Sequence, residues 1–343
     1  MTAASIAETQ RRTRTASSHR GGAVLAALLW SACLPGIAAA QAEVYPVRVI
    51  RVVNSLAAGS SADHLNRALA DGLSARINQR VIVENKPGDG GNIAAMTVVK
   101  APPDGYTLLM ASTASLAIQM TYSAGRLEYD LRRSLAPISK VAEIPNALFV
   151  TPVLPVDNLK AFVAYVRARP GEYTCASSGV GGLLHLTCEL FKKTAGIDVL
   201  HVPFKGSTAF RPELIEGRIT MAFDNVPVYV PLVAAGKLKA LAVTTTQRAA
   251  ILPEVPTTAE LGMPSLLSMG LFGLFAPLNT PADAIALLSR ESIAILRDPK
   301  VRETLVKQGI EPGGSTPQDL GAQVENEITR WAKVIKESNI PKE

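Results

Sequence analysis

The sequence predicts an α/β protein built in two lobes, each a mainly parallel sheet flanked by helices. Three observations carry this. β-branched apolar runs alternate with stretches of helical apolar spacing along most of the chain, the pattern of βαβ units. Apolar strands at 146–150 and 271–276 flank one such series and are natural crossings between lobes. A length of 343 residues suits two domains of ordinary size or one large α/β unit. The lobes follow as 43–145 with 271–343, and 146–270.

The first lobe opens with a strand at 47–53, rich in valine and isoleucine. Leu65, Leu69, Leu73 and Ile77 then recur at helical spacing, giving a helix over 63–76. A strand at 81–84, a short helix at 92–100 and a strand at 106–111 follow, the last introduced by the turn "PPDGY". Turn residues thicken until the strand in "IPNALFVTP" at 144–152. The second series reads helix 158–169, strand 172–176, helix 183–194, strand 199–203, helix 207–216, strand 219–224, helix 228–235 and strand 238–244. After the strand in "GLFGLFAPLNT" the chain is helical over 282–297, 299–309 and 317–338. Thr316 and Pro317 suit the N-cap and first position of the last helix.

Hydrophobic residues make up 48% of the chain, which excludes a disordered polymer. Arg11, Arg12, Arg14 and Arg20 against Glu8 place +3 of the formal +6 charge in the first forty residues. The +3 that remains includes no basic tract of the kind nucleic acid demands. The first forty residues have the order of a secretory signal peptide. A basic segment ends at Arg20, "GGAVLAALLWSACLPGIAAA" carries no charge, and small residues close it at Ala38, Ala39 and Ala40. Pro35 and Gly36 would break a membrane-anchoring helix. The expectation is a signal peptide over 1–40, cut after Ala40 or Ala42, and an exported protein.

Beyond Cys33 in that leader, two cysteines remain, Cys175 at the end of a strand and Cys188 in the second turn of the next helix. In an oxidising compartment they are either bridged or two small buried apolar groups. The three histidines of the mature chain, His64, His185 and His201, are far apart, and no zinc spacing exists. Neither a metal nor a cofactor is expected. The chain lacks G-x-S-x-G, H-E-x-x-H and the P-loop pattern. "GDGG" and "GVGG" each begin a dinucleotide fingerprint, but Ile93 and Leu184 stand where its last glycine belongs.

Two strand-to-helix turns remain as candidate sites, one per lobe: Ala57, Ala58, Gly59, Ser60 and Ser61, and Ser177, Ser178, Gly179, Val180, Gly181 and Gly182. Ligands of open α/β sheets sit at the carboxyl ends of strands, where helix N-termini offer unpaired N–H groups and a positive dipole end to an anion. Ser60 with Asp63 also spells a capping box, so the first turn has two readings, cap and binding loop. Three glycines in the second turn exceed what a helix start needs and point to close backbone approach. His185 is either a ligand contact or a capping residue, and Lys205 either a cleft cation or a surface lysine.

The stretch "YPVRVIRVVNSLAAGSSADHLNRALADGLSARINQRVIVENKPGDGGNIAAMTVVKAPPDGYTLLMAS" resembles the start of the Bug-type solute receptors of tripartite tricarboxylate transporters. "ASSGVGGLLHLTCELFKKTAGIDVLHVPFKGSTAF", "GRITMAFDN", "AGKLKALAVTT" and "LPEVPTTAELG" continue the likeness over nearly the whole mature chain. The resemblance implies a periplasmic binding protein of the type II, Venus flytrap kind. It would close on a small carboxylate, act as a monomer, and serve membrane transporter subunits or a sensor. It further implies a lining from Ser112, Thr113, Lys205, Gly206, Ser207, Asp224 and Asn225 beside the two turns. Two departures matter, because Val180 and Gly182 stand where polar side chains are usual, which suggests a more apolar, aromatic carboxylate. The alternative from another class is an exported serine hydrolase acting on a small ester. It requires a base, His185 or His64, within reach of Ser60, Ser177 or Ser178.

Overall fold

The computed structural model describes residues 45–338 and 340. The expected signal peptide over 1–40, its cleavage site and Cys33 lie outside the described residues. The first series runs β1 (Ile50–Asn54), α1 (Ser61–Ile77), β2 (Val81–Asn85), α2 (Asn92–Val99), β3 (Thr107–Ser112), α3 (Thr113–Tyr122), α4 (Leu131–Ser134) and β4 (Leu135–Val150). The second runs α5 (Leu159–Arg167), β5 (Thr174–Ser177), α6 (Leu183–Ala195), β6 (Leu200–Pro203), α7 (Ser207–Ile215), β7 (Met221–Asn225), α8 (Val230–Ala234) and β8 (Lys239–Val243). The chain then returns through β9 (Met269–Pro277), α9 (Ala282–Arg297), α10 (Pro299–Lys307), β10 (Glu311–Pro312) and α11 (Pro317–Ser338).

The strands form one curled mixed sheet with a lobe at either end. In the first lobe the order is β2-β1-β3-β9-β4-β10, and in the second it is β8-β4-β7-β5-β6. Strands within each βα series pair in parallel, β1 with β2 and β3, and β5 with β6 and β7. The returning strands pair antiparallel: β9 lies between β3 and β4, and β4 lies against β7 and β8. β4 is the element shared by both lobes. Its residues up to Pro145 pair with β9, and from Asn146 onward they pair with β7.

Side-chain alternation along the strands builds a core on each face. In the first lobe Ile50, Val52, Leu108 and Met110 meet Leu65, Leu69 and Leu73 of α1 and Leu288 and Ile295 of α9. Val53, Leu109 and Ala111 point the other way, onto Ala94 and Val98 of α2, Leu116 of α3 and Leu320 and Val324 of α11. β4 repeats the rule in the second lobe. Leu148 and Val150 face Phe162 and Phe191, while Ala147 and Phe149 face Phe210 and Tyr229. Burial of each such large side chain is worth about 1.5–3 kcal/mol. Cys175 and Cys188 are joined by a disulfide, with Cα atoms 6.6 Å apart, tying β5 to α6. A further apolar seam crosses between lobes: Ala114, Ile118 and Tyr122 of α3 pack with Leu183 and Leu186 of α6 and with Trp331 and Ile335 of α11.

Three elements differ from the sequence expectation. The strand expected at 47 begins at Ile50, because the Val47 N–H is taken by the Tyr106 hydroxyl at 2.9 Å and Val47 and Val49 are exposed. α3 stands where turn residues were read; Ser112 caps it, its Oγ accepting from the Ser115 N–H at 3.2 Å. β4 starts nine residues before the strand expected at 144, and its early half breaks register twice against β9, which blurs the period-2 signal.

Candidate functional site

The first glycine turn follows β1. Gly59 has φ +75, and Ser60 is the N-cap of α1, its Oγ accepting from the Asp63 N–H at 3.2 Å. Asp63 answers one residue earlier than a standard capping box, with Oδ2 accepting from the Gly59 N–H at 3.0 Å. The Nε of Arg67 donates to the same oxygen at 3.1 Å, and Nδ2 of Asn85 donates to Oδ1 at 2.8 Å. Burial alone pushes this carboxyl up. The bonds from Gly59, Asn85 and Arg67 outweigh it and hold the group below the usual carboxylate range. Asp63 therefore spends its charge on shaping the turn. Ala58 and Gly59 are exposed at its tip, and the buried Ser61 hydroxyl has no hydrogen-bond partner.

The second turn, Ser177 to Gly182, is held from behind. The Ser177 hydroxyl accepts from the Gly179 N–H at 3.2 Å and lies 2.7 Å from Nε2 of His201. The Gly181 N–H donates to Nδ1 of the fully buried His185 at 3.0 Å. That nitrogen must carry a lone pair, so the neutral ring holds its proton on Nε2. His185 stacks on His201, with centroids 3.9 Å apart, and meets Tyr122 edge-on. His185 thus ties the turn back to the helix that follows it, without capping that helix's own N–H groups.

A third glycine turn, between β2 and α2, forms the facing wall. Gly88, Gly90 and Gly91 all have positive φ. A Cβ at Gly179 would lie 3.0 Å from the Gly90 nitrogen, and one at Gly90 would lie 3.0 Å from the Gly182 nitrogen. At the other side of the cleft, a Cβ at Gly206 (φ +97) would come within 2.6 Å of the Ala57 Cβ. The glycine excess read from the sequence thus serves the meeting of two backbones, one from each lobe. Hydrogen bonds cross the same seam. Ser115 Oγ accepts from the Leu183 N–H at 3.1 Å, and Gln119 Nε2 donates to the Val180 carbonyl at 3.3 Å.

Between these turns lies a cavity of about 30 Å³, lined by Ser112, Ser178, Gly182 and Gly206 of the expected residues. Ser55, Leu56, Pro87, Gly90, Gly91 and Ser115 complete it and were not anticipated. The remaining expected residues do other work. Thr113 Oγ1 donates to the Leu271 carbonyl at 3.1 Å, and Asn225 Nδ2 donates to Asn146 Oδ1 at 2.5 Å. Lys205 is exposed, Val180 packs with the apolar seam, and Ser207 and Asp224 are buried together at the head of α7. Burial pushes the Asp224 carboxyl up, against hydrogen bonds from the Asn225 N–H and the Tyr229 hydroxyl, both 2.8 Å.

The hydrolase reading named His185 and His64 as bases. The histidine beside a loop serine is instead His201, at Ser177. Ser177 is fully buried and its hydroxyl is tied to Gly179, so the pair braces the turn. Among the described residues no three His, Cys, Asp or Glu side chains are grouped to hold a metal ion, and no helix is long and apolar enough to cross a membrane.

The profile of the tripartite tricarboxylate transporter family receptors matches residues 65–340. The chain belongs to that family. Within it, BugT of Bordetella pertussis is 35% identical over 305 residues, covering 88% of this chain and 93% of BugT. Two solved proteins share the architecture. The periplasmic binding protein BugD superposes with a TM-score of 0.82 at 28% identity, over 87% of this chain and 100% of BugD. Rpa4515 of R. palustris, solved with adipate, gives 0.80 at 36% identity, over 86% of this chain and 99% of Rpa4515. In this chain the two-lobed α/β architecture sets facing turns at the carboxyl ends of the strands.

Proposed function

We propose that the protein is an exported periplasmic receptor that captures a small organic carboxylate between its lobes, 43–145 with 271–343 and 146–270. It then delivers that ligand to the membrane subunits of a tripartite tricarboxylate-type transporter or to a sensor. The observation that carries this reading is the meeting of glycine turns from opposite lobes over the N-termini of α1 and α6. A cavity of about 30 Å³ holds one or two waters, so a carboxylate enters only as the turns part. On entry it meets the unpartnered Ser61 hydroxyl and the Leu183 N–H now held by Ser115. Adipate bound to Rpa4515 supports an aliphatic dicarboxylate. Leu56 and Pro87 in the lining support the narrower aromatic version, which after the inward packing of Val180 rests on them and on Gly182.

A thermal-shift and calorimetric panel of aliphatic and aromatic mono- and dicarboxylates tests the reading. At a hundredfold excess over Kd a true ligand stabilises the fold by about 2.7 kcal/mol. A folded, exported protein that no carboxylate stabilises would refute reception. Exported material should begin at Gln41 or Glu43; an intact Met1 would refute cleavage.

A further inference from the structure

One turn behind the cleft wall, α7 carries a cation that the site so far described does not use. Gly206 lines the cavity, and Ser207 opens α7 beside it. Arg211 stands four residues on, on the same helix face and about 6 Å further along the axis. Its guanidinium carbon is 5.2 Å from the centroid of the Tyr229 ring. Nε and Nη2 are buried and have no hydrogen-bond partner. Tyr229 shares a hydrogen bond with the Arg211 side chain and Asp224 lies within reach of its charge, but neither takes Nε or Nη2. Asp224 accepts the Asn225 N–H on Oδ1 and the Tyr229 hydroxyl on Oδ2, both at 2.8 Å.

A guanidinium is charged at every physiological pH, and burying its donors unpaired is costly unless an anion meets them. Nε and Nη2 also form one edge of the planar fork, the pair of donors that grips a carboxylate with two parallel hydrogen bonds. We propose that Arg211 binds the second carboxylate of a dicarboxylate ligand whose first carboxylate sits at the glycine turns. This rests on the carboxylate reading above and narrows it to acids whose two carboxylates lie on the order of 6 Å apart, one helical turn.

The test compares succinate, adipate and suberate with butyrate, hexanoate and octanoate by calorimetry on the full mature chain. Wild-type protein should bind the best dicarboxylate at least tenfold more tightly than the monocarboxylate of equal length. Arg211→Met should remove that preference, weakening the dicarboxylate about tenfold or more and the monocarboxylate less than threefold. Arg211→Lys keeps the charge without the fork and should retain part of the preference, which also covers a Met variant that fails to fold. A folded Arg211→Met protein that loses both ligands equally, or neither, would assign Arg211 to packing on Tyr229 and overturn the proposal. A wild-type preference for monocarboxylates would overturn it too. Wild-type protein that binds no carboxylate at all would refute reception itself, and this proposal with it.

Discussion

Gly90→Ala separates closure from folding. Gly90 has φ +57, and an added Cβ would lie 2.2 Å from Gln119 Nε2, 3.0 Å from the Gly182 nitrogen and 3.1 Å from the Gly181 carbonyl carbon. Gln119 is the far end of a flexible side chain and can swing away. The other two atoms are backbone of the opposite lobe and cannot. Two costs follow. A left-handed alanine costs about 1–2 kcal/mol whether the lobes are apart or together. Overpacking against the facing turn costs about 1–3 kcal/mol, and only in the closed state.

The first cost lowers the melting temperature. The second weakens binding by about 5- to 150-fold, since a ligand gripped by both lobes must pull the closed state against it. Calorimetry with the tightest carboxylate of the panel reads the second cost directly, and small-angle scattering should show a more extended molecule. Gly125→Ala is the control. Its φ is +86 and its Cβ would meet nothing within 4 Å, so it carries the backbone cost alone. Equal affinity in the two variants, both folded, would refute the idea that glycine stands at Gly90 to let the lobes meet.

Three further outcomes are expected. Ser60→Ala removes the cap on α1 and should lower stability by about 1 kcal/mol in urea melts, with a smaller loss of affinity; affinity falling more than stability would make Ser60 a ligand contact. The Asp63 carboxyl is held below its unfolded value of about 3.9, so its contribution is whole above about pH 4 and lost as pH falls through the lowered folded value. Asp63→Asn should flatten the acid limb of the stability curve, and an unchanged limb would contradict this. Replacing Cys175 and Cys188 together opens a crosslink of sequence separation 13 and should cost roughly 3 kcal/mol. Intact mass of the oxidised wild type should show no free thiol, and two free thiols would end the argument.

The parts of the fold that were legible are those where a local pattern and the tertiary environment agree. α1 is periodic because one face lies on the sheet, and β1 alternates because its two faces bury different helices. Where they disagree the sequence misleads. The first half of β4 pairs across bulges, so its alternation is broken, and α3 is mostly buried, so its polar edge is too thin to read. The site divides likewise. Ser60, Asp63 and the turn Ser177 to Gly182 are visible because capping and glycine excess are local. Gly90 and Gly91 stand in a visible glycine run, but no local pattern announces the opposing loop they meet. Ser115, Gln119 and His201 act on partners 24 to 68 residues away in sequence, and no spacing announces that.

Those distant partners define what a ligand must do. The closed seam already satisfies itself: Ser115 takes the first free N–H of α6, Gln119 takes the Val180 carbonyl, and Trp331 covers the apolar contact between α3 and α6. The helix start is also wired to the crossing strand. Thr187 donates to the Leu183 carbonyl and accepts from the Ser268 hydroxyl, both at 2.7 Å; Ser268 accepts from Asn146 at 3.1 Å; Asn146 accepts from Asn225. All four side chains of that chain are buried where β4 passes from one lobe to the other. A carboxylate that displaces Ser115 exchanges a neutral acceptor for a charged one. Neutral hydrogen bonds are worth about 0.5–1.5 kcal/mol net and charge-assisted ones about 1.5–3, a gain of about 1 kcal/mol per donor. For the Leu183 N–H this favours the closed, liganded state by about 1 kcal/mol, or roughly fivefold. Selection among carboxylates must come from the groups that touch the rest of the molecule. The seam supplies closure, and the walls behind it supply the choice.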